Sequence, residues 1–349
     1  GIGLASQEVS SEPTSPRAPA AEGRAFARAG LLGNPSDVYH GRVLSTVIRN
    51  FLATVSLDEA PQVRIGPRDE EEDTFLDVAD LADAMGRQGY YGGRRLIKAT
   101  VKVFHDYCQE GGIALPSRGF TIRYRSTIPR QVGLAGSSAI VTAALRALMS
   151  FFEVEVPREI QPNLVLSAEL DELGITAGLM DRVAQVFEGL VYMDLSEDLM
   201  KSQGHGGYEA LDPRLLPRMF VAHHPGPTKV SGRVHGGLRA RWEDGDAETR
   251  EAISRIAELA TEGRSALLAG DHRTLSSLMD RNFDLRRRIM SISEWDLALV
   301  DAARGLGASA KLTGSGGAII GVLKSREMFE AIEERLGSLG AVVIEPEVR

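Results

Sequence analysis

One segment, Ile128-Pro129-Arg130-Gln131-Val132-Gly133-Leu134-Ala135-Gly136-Ser137-Ser138-Ala139, constrains the chain more than any other. Before it, Phe120–Pro129 alternates in the manner of a strand and stops at a proline. After it, Ala139–Phe152 reads as an apolar, Ala-rich helix. Between them Gly133 and Gly136 let backbone approach a ligand closely, and Ser137 and Ser138 stand where the helix begins. Unsatisfied N–H groups and the positive end of the helix dipole at such a place suit a phosphate. An N-capped helix after a tight turn would use the same residues, so the loop alone leaves both readings open. No Gly-Lys-Ser/Thr follows, so this is not a Walker loop.

The surrounding pattern is mixed. Periodicity predicts helices over Arg94–Glu110, Arg158–Leu173, Glu248–Leu268, His272–Ser291, Asp296–Gly305 and Arg326–Leu339. It predicts strands over Arg42–Leu57, Pro217–His224, Ala318–Leu323 and Ala341–Glu345, with Val183–Asp194 turning from helix to strand. No strict βαβ repeat emerges, so the expected class is α+β, in two domains over residues 23–211 and 212–349. Residues 1–22, rich in Ser, Pro, Ala and Glu, read as a disordered tail. The like-charge block Asp69-Glu70-Glu71-Glu72-Asp73 reads as a solvated loop.

Several function classes fall away. A net charge of −8 disfavours nonspecific nucleic-acid binding, which needs a positive field. No run approaches the roughly 18 uninterrupted apolar residues of a spanning helix, and the N-terminus lacks the basic region and apolar core of a secretory signal. The single cysteine, Cys108, excludes an intrachain disulfide and fits a reducing, cytoplasmic setting. Its apolar surroundings predict a buried structural thiol. There is no Gly-x-Ser-x-Gly elbow, and neither Gly305-Leu306-Gly307 nor Gly314-Ser315-Gly316-Gly317 spells a dinucleotide fingerprint. His223 and His224 would point apart on a strand, so zinc is not expected. The run Arg286-Arg287-Arg288, on a helix with core and solvent positions, reads as solvated or ion-paired.

Three separated motifs then stand in order. The first is Ala27-Arg28-Ala29-Gly30-Leu31-Leu32-Gly33-Asn34-Pro35-Ser36-Asp37, the second the Gly133–Ala139 loop, and the third Lys311-Leu312-Thr313-Gly314-Ser315-Gly316-Gly317-Ala318. Together they resemble the motifs of the GHMP kinase superfamily. The first is similar to the opening motif of galactokinases, with Asn34-Pro35-Ser36-Asp37 in place of a Glu-His pair, which weakens galactose as the substrate. Ala177-Gly178-Leu179-Met180-Asp181 is similar to the galactokinase segment carrying the catalytic base, and Ser167-Ala168-Glu169 to the one carrying a magnesium-binding glutamate. A narrower likeness is to the plant-type glucuronokinases. It rests on Gly30–Tyr39, Gly89–Gly93, Ile128–Gln131, Asp181–Val186, Glu262–Arg264 and Asn282–Arg288, and runs from about Arg24 to the C-terminus.

The resemblance implies a two-domain GHMP kinase fold with the active site in the cleft between domains. It implies transfer of the γ-phosphoryl of ATP to the anomeric hydroxyl of D-glucuronate, giving 1-phospho-α-D-glucuronate for UDP-glucuronate synthesis. Asp181 would be the base and Arg28 its catalytic partner. Gly133, Leu134, Ala135, Gly136, Ser137, Ser138 and Ala139, with Gly314, Ser315 and Gly316, would hold the ATP phosphates. Ser138 and Glu169 would hold Mg²⁺, which prefers such oxygen ligands. Asn34, Ser36, Asp37, Arg182 and Gly317 would meet the sugar. Arg42, Arg130, Arg182 and Arg233 are candidates for the uronate carboxylate, and each equally reads as a structural ion pair. A monomer is expected, with ATP and a uronic acid as partners and no nucleic acid or membrane. Two rivals stay open: another sugar-1-kinase, for galacturonate, arabinose or galactose, and a non-catalytic sugar sensor of the same fold. The presence of Arg28, Ser138, Glu169 and Asp181 together disfavours the sensor.

Overall fold

A computed structural model describes residues 17–66, 74–88, 94–227 and 233–349. Most of the expected tail (residues 1–16), the acidic block at 69–73 and the Gly89–Gly93 segment lie outside the described residues, as does the side chain of Arg233.

The first sheet is built on one long strand. Seven strands contribute: β1 (Ala21–Leu32), β2 (Arg42–Ala60), β3 (Val63–Ile65), β4 (Thr74–Phe75), β5 (Gly119–Ser126), β6 (Leu190–Asp194) and β7 (Gly207–Leu211). Dense β-branched residues suit β2 to a pleated, largely buried surface, and its 19 residues serve several partners. β1 runs antiparallel along one edge of β2. On the other edge β5 pairs with Ala53–Ala60 and β6 with Arg42–Thr46. The β1–β2 register shifts between Phe26, opposite Leu52, and Ala27, opposite Ile48. This leaves Arg49–Phe51 without partners on β1, and there the Arg49 N–H and the Asn50 amide grip the Glu347 and Glu345 carbonyls of the C-terminal segment at 2.7 and 3.2 Å. β1 alternates in burial as far as Phe26 and is buried throughout from Ala27 to Leu32, so its second half carries the first motif into the interior.

Helices α1 (Val78–Gln88), α2 (Arg95–Glu110), α3 (Gly136–Phe152), α4 (Gln161–Ser167), α5 (Met180–Phe187) and α6 (Glu197–Gln203) complete this half. The second sheet has the order β11 (Val342–Ile344), β8 (Met219–His223), β10 (Ala318–Val322), β9 (Lys311–Leu312), all antiparallel. With it go α7 (Arg233–Glu243), α8 (Ala247–Leu268), α9 (His272–Ile289), α10 (Glu294–Gly305) and α11 (Arg326–Ser338). Phe220, Phe283, Leu299, Ile319 and Ile332 form a core of their own there. A larger core runs across both halves, gathering Leu32 and Leu44 with Leu259, Met279 and Ile320. Among the described residues no helix is long and apolar enough to cross a membrane. Cys108 is buried on α2, and burial pushes its thiol pKa up.

Three details differ from the expected pattern. β1 begins at Ala21, inside the segment read as tail, because Ala21 and Glu22 already pair with Leu57 and Ser56. The helix expected over Arg158–Leu173 starts at Gln161 and widens into a π-turn over Ala168–Glu172. The short pieces β3, β4 and β9, of two or three residues, are below the reach of any periodicity.

The packing of α3 on β1 has almost no slack. A Cβ at Gly23 would stand 2.0 Å from the Ala143 carbonyl oxygen and 2.7 Å from the Ala147 nitrogen. Both are backbone atoms that no rotamer change can move. Gly23→Ala is therefore expected to lower unfolding stability by about 1–3 kcal/mol, the ordinary cost of overpacking. A urea titration giving the wild-type midpoint would contradict this packing.

Candidate active site

α3 begins with no side-chain cap. Its N-cap residue, Ala135, sits in the left-handed region (φ 62°), and the donors of the first turn at Gly136 and Ser137 are met by no capping group. A helix N-terminus left in that state suits an anion. The loop before it meets the third motif. Gly133 has φ 78°, and a Cβ there would stand 2.5 Å from the Gly316 carbonyl oxygen, so the two glycine loops touch backbone to backbone. The Thr313 hydroxyl donates to the Gly133 carbonyl at 2.8 Å.

Arg28 ties these parts together. It is 4% exposed, on the buried half of β1. Its Nη1 donates to the Gly133 and Thr313 carbonyls at 3.0 and 3.2 Å, and its Nε donates to Asp181 Oδ1 at 2.5 Å. Asp181, in the first turn of α5, has a side chain 20% exposed, so it keeps an open side. Burial pushes its carboxyl pKa up, but Arg28 and Arg182 together outweigh this and hold it below the usual carboxylate range.

The π-turn carries Glu169 inward. Its side chain is 1% exposed and lies 2.8 Å from Arg182 Nη2. Glu169 Oε2 accepts from the Ser137 hydroxyl at 3.1 Å, while its Oε1 lacks an aligned hydrogen bond. A π-turn at such a residue is a common way to re-aim one side chain. Arg182 also donates to the Gly178 carbonyl at 2.7 Å and lies 3.6 Å from Asp181. Burial pulls its guanidinium pKa down, but Glu169 and Asp181 pull it up by more.

The expected set is thus drawn together with changes in detail. The Ser138 hydroxyl does not bond Glu169. The residue is 1% exposed and its hydroxyl donates to the Ala135 carbonyl, while neighbouring Ser137, less buried, is the one that reaches the carboxylate. Asn34 and Ser36, expected to meet the sugar, are both buried. Lys311 Nζ donates to Asn34 Oδ1 at 2.7 Å, and the Ser36 hydroxyl donates to the Arg42 carbonyl. The Gly317 N–H is taken by Asp296 at 3.2 Å. Asp37, in the short 3-10 turn that starts at Ser36, remains partly open, with the Met180 N–H donating to its Oδ2 at 3.4 Å. Burial, then the charge of Asp181, push its pKa up to about 6.

Two buried cations stand outside the set expected from sequence. Arg286 on α9 is 3% exposed, with its neighbour Arg287 exposed beside it. Its Nη1 donates to the Gly314 carbonyl at 2.7 Å. Lys311 is 1% exposed and donates to Gly30 O, Asn34 Oδ1 and Leu312 O, all within 2.8 Å. Elsewhere, a cavity of about 470 Å³ lined by Arg146, Arg158 and Gln161 shares no residue with this cluster.

Two family models match the chain. The model for the GHMP kinases N terminal domain matches residues 95–189, and that for the GHMP kinases C terminal domain matches 264–342. The chain belongs to the GHMP kinases. It is 47% identical to glucuronokinase 1 of Arabidopsis thaliana over 307 residues, which is 86% of this chain and 84% of the relative. It is equally 47% identical to a probable glucuronokinase 2 of the same plant over 306 residues, or 86% of this chain and 83% of that relative. Its fold is that of Lactococcus lactis galactokinase complexed with galactose, with a TM-score of 0.74 at 16% identity, covering 94% of this chain and 93% of that one.

The environment of Asp37 makes a stability prediction. Its pKa rises on folding, from 3.8 to about 6. Folding therefore favours the protonated acid, and the stability so contributed is present at low pH and lost as pH rises through about 6. Asp37→Asn, which mimics the neutral acid, should be more stable than wild type at pH 7.5, and its advantage should shrink as pH falls below 6. Urea unfolding at pH 7.5 and pH 5 measures this, and a pH-independent difference would contradict the assigned environment.

Proposed function

We propose that this chain is a glucuronokinase, transferring the γ-phosphoryl group of ATP to the anomeric hydroxyl of D-glucuronate. The observation that carries the reading is the Arg28–Asp181 pair, held at 2.5 Å beside an uncapped helix N-terminus. The 47% identity to Arabidopsis glucuronokinases over most of the chain supports the choice of sugar acid.

Phosphoryl transfer needs positioning and charge neutralisation more than covalent chemistry. The first-turn N–H groups of α3 and the loop from Gly133 to Ala135 receive the phosphates, and Gly314, Ser315 and Gly316 close on them from the other side. Asp181, kept ionised by Arg28 and Arg182, accepts the proton of the sugar's C1 hydroxyl. An anomeric hydroxyl is more acidic than an ordinary alcohol, so a low-pKa carboxylate suffices. Arg28 keeps Asp181 anionic and, from its place beside both loops, offsets charge on the group in transit. Asp37 hydrogen-bonds sugar hydroxyls from the adjoining turn.

The donor set suits Mg²⁺. Glu169 supplies a buried carboxylate whose Oε1 is paired with Arg182 at 2.8 Å, and Ser137 a hydroxyl 3.1 Å from its Oε2. One or two such oxygens, completed by phosphates and water, are what Mg²⁺ takes from a protein. When bound there, it would neutralise phosphate charge.

The test is substrate choice, measured by coupled ADP release at saturating Mg·ATP on glucuronate, galacturonate, glucose and galactose. Glucuronate should have the highest kcat/KM, exceeding glucose by about 10² or more, the preference a hydrogen-bonding site imposes on an analogue lacking the group. Equal efficiency on glucose and glucuronate would contradict the reading, and a galacturonate preference would leave the kinase and replace the sugar.

A further inference from the structure

A kinase for a uronic acid must recognise a carboxylate that neutral sugars lack, and the structure narrows which cation does so. Of the candidates from sequence, Arg182 is already paired with Glu169 at 2.8 Å and with the Gly178 carbonyl. Arg130 lies on an open loop and Arg42 is partly exposed at the start of β2, where water already serves a guanidinium well. We propose that Arg286, whose Arg-Arg-Arg run reads from sequence as solvated or ion-paired, receives the uronate carboxylate. The assignment rests on the reading of this site as a uronate kinase.

Arg286 is out of balance with its surroundings. A guanidinium carries five N–H donors and, once buried, needs both a counter-charge and acceptors. Arg28 and Arg182 each have a carboxylate oxygen within 2.8 Å. Arg286 is as deeply buried, yet its hydrogen bond goes to a neutral carbonyl, Gly314 O, and its Nε has no partner among the described residues. Among these residues no carboxylate lies within ion-pair distance of it. The acids it feels, Asp296 and Asp37, act at longer range. Asp296 holds the Gly317 N–H, and Asp37 accepts from the Met180 N–H. Burial accordingly pushes Arg286 down to about 10, whereas Arg182, equally buried but paired, is pushed up. Lys311 supplies no counter-charge: its three acceptors are all neutral oxygens, and burial with the charges of Arg286 and Arg28 pushes its pKa well down. Arg286 thus stands buried beside the third-motif loop with no described carboxylate in contact.

A ligand carboxylate meets that deficit. Its two oxygens match the fork of a guanidinium, which an ammonium cannot offer. In the proposed reading Arg286 borders both ligands: its Nη1 bonds the Gly314 carbonyl of the third-motif loop, while Asp37, on the turn expected to meet the sugar, is one of the two acids that act on it at longer range.

The experiment compares glucuronate with glucuronamide, its neutral isostere, on wild type and Arg286→Gln. Wild type should prefer glucuronate in kcat/KM by about 10² or more. In Arg286→Gln that preference should collapse to within about threefold, chiefly through KM for the sugar, with KM for ATP moving far less. If wild type shows no preference, the uronate reading itself fails. If wild type prefers glucuronate and Arg286→Gln keeps that preference, or loses activity equally on both sugars, the assignment to Arg286 is overturned, the second result placing it on the phosphoryl group or in the scaffold. Should Arg286→Gln not fold, Arg286→Lys answers the same question. It keeps the charge and loses the fork, and should narrow the preference by about tenfold. An unchanged preference in Arg286→Lys overturns the proposal.

Discussion

The site depends on one buried guanidinium. Arg28 comes from the first strand of the chain, yet its donors reach Asp181, the Gly133 carbonyl and the Thr313 carbonyl. These partners lie 153, 105 and 285 residues away along the chain. Burying such a charge is costly unless it is paired and its donors are satisfied, so the three partners must arrive together. Backbone bonds reinforce the junction: the Arg28 N–H donates to the Leu134 carbonyl and the Gly30 N–H to the Thr313 carbonyl. The demand of one side chain for partners thus fixes how the phosphate loop, the third motif and α5 stand relative to one another.

The same charge sets the division of labour between two carboxylates. Asp181 and Asp37 stand closely enough that the charge of Asp181 contributes to raising the Asp37 pKa. Asp181 has Arg28 and Arg182 against it and is held low, while Asp37, with a backbone N–H as its direct partner, is pushed up to about 6. Environments that separate two neighbouring carboxyl groups in this way assign them different tasks. In the proposed reaction Asp181 stays ionised to take a proton, and Asp37 is free to hydrogen-bond in either form.

Much of this is legible in the sequence, and the departures have physical causes. The strand, loop and helix of Phe120–Phe152 can be read directly because alternation and small residues are local signals. Three strands of the second sheet, β8, β10 and β11, are visible as short apolar runs. Ser137 and Ser138 cannot be told apart, since adjacent helical residues point about 100° apart and only the tertiary fold says which faces Glu169. Asn34 is held inward by Lys311, 277 residues away, which donates to its Oδ1, and the Ser36 hydroxyl donates to the Arg42 carbonyl. The burial of Arg286 has a readable sign. Leu275, Met279, Asn282, Phe283, Arg286 and Ile289 form one helical stripe, all buried, and Arg287 and Arg288 fall off it. The charge run masks the periodicity beneath it.

Whether Arg28 and Asp181 act as one unit is the most direct test. A double-mutant cycle on kcat, with Arg28→Gln, Asp181→Asn and the pair together, measures their coupling. Each single change should lower kcat by about 10² or more, and the double should be no worse than the poorer single, as for residues that function only together. Losses that multiply would mean that the two side chains act independently, and their ion pair would then not be the centre on which catalysis depends.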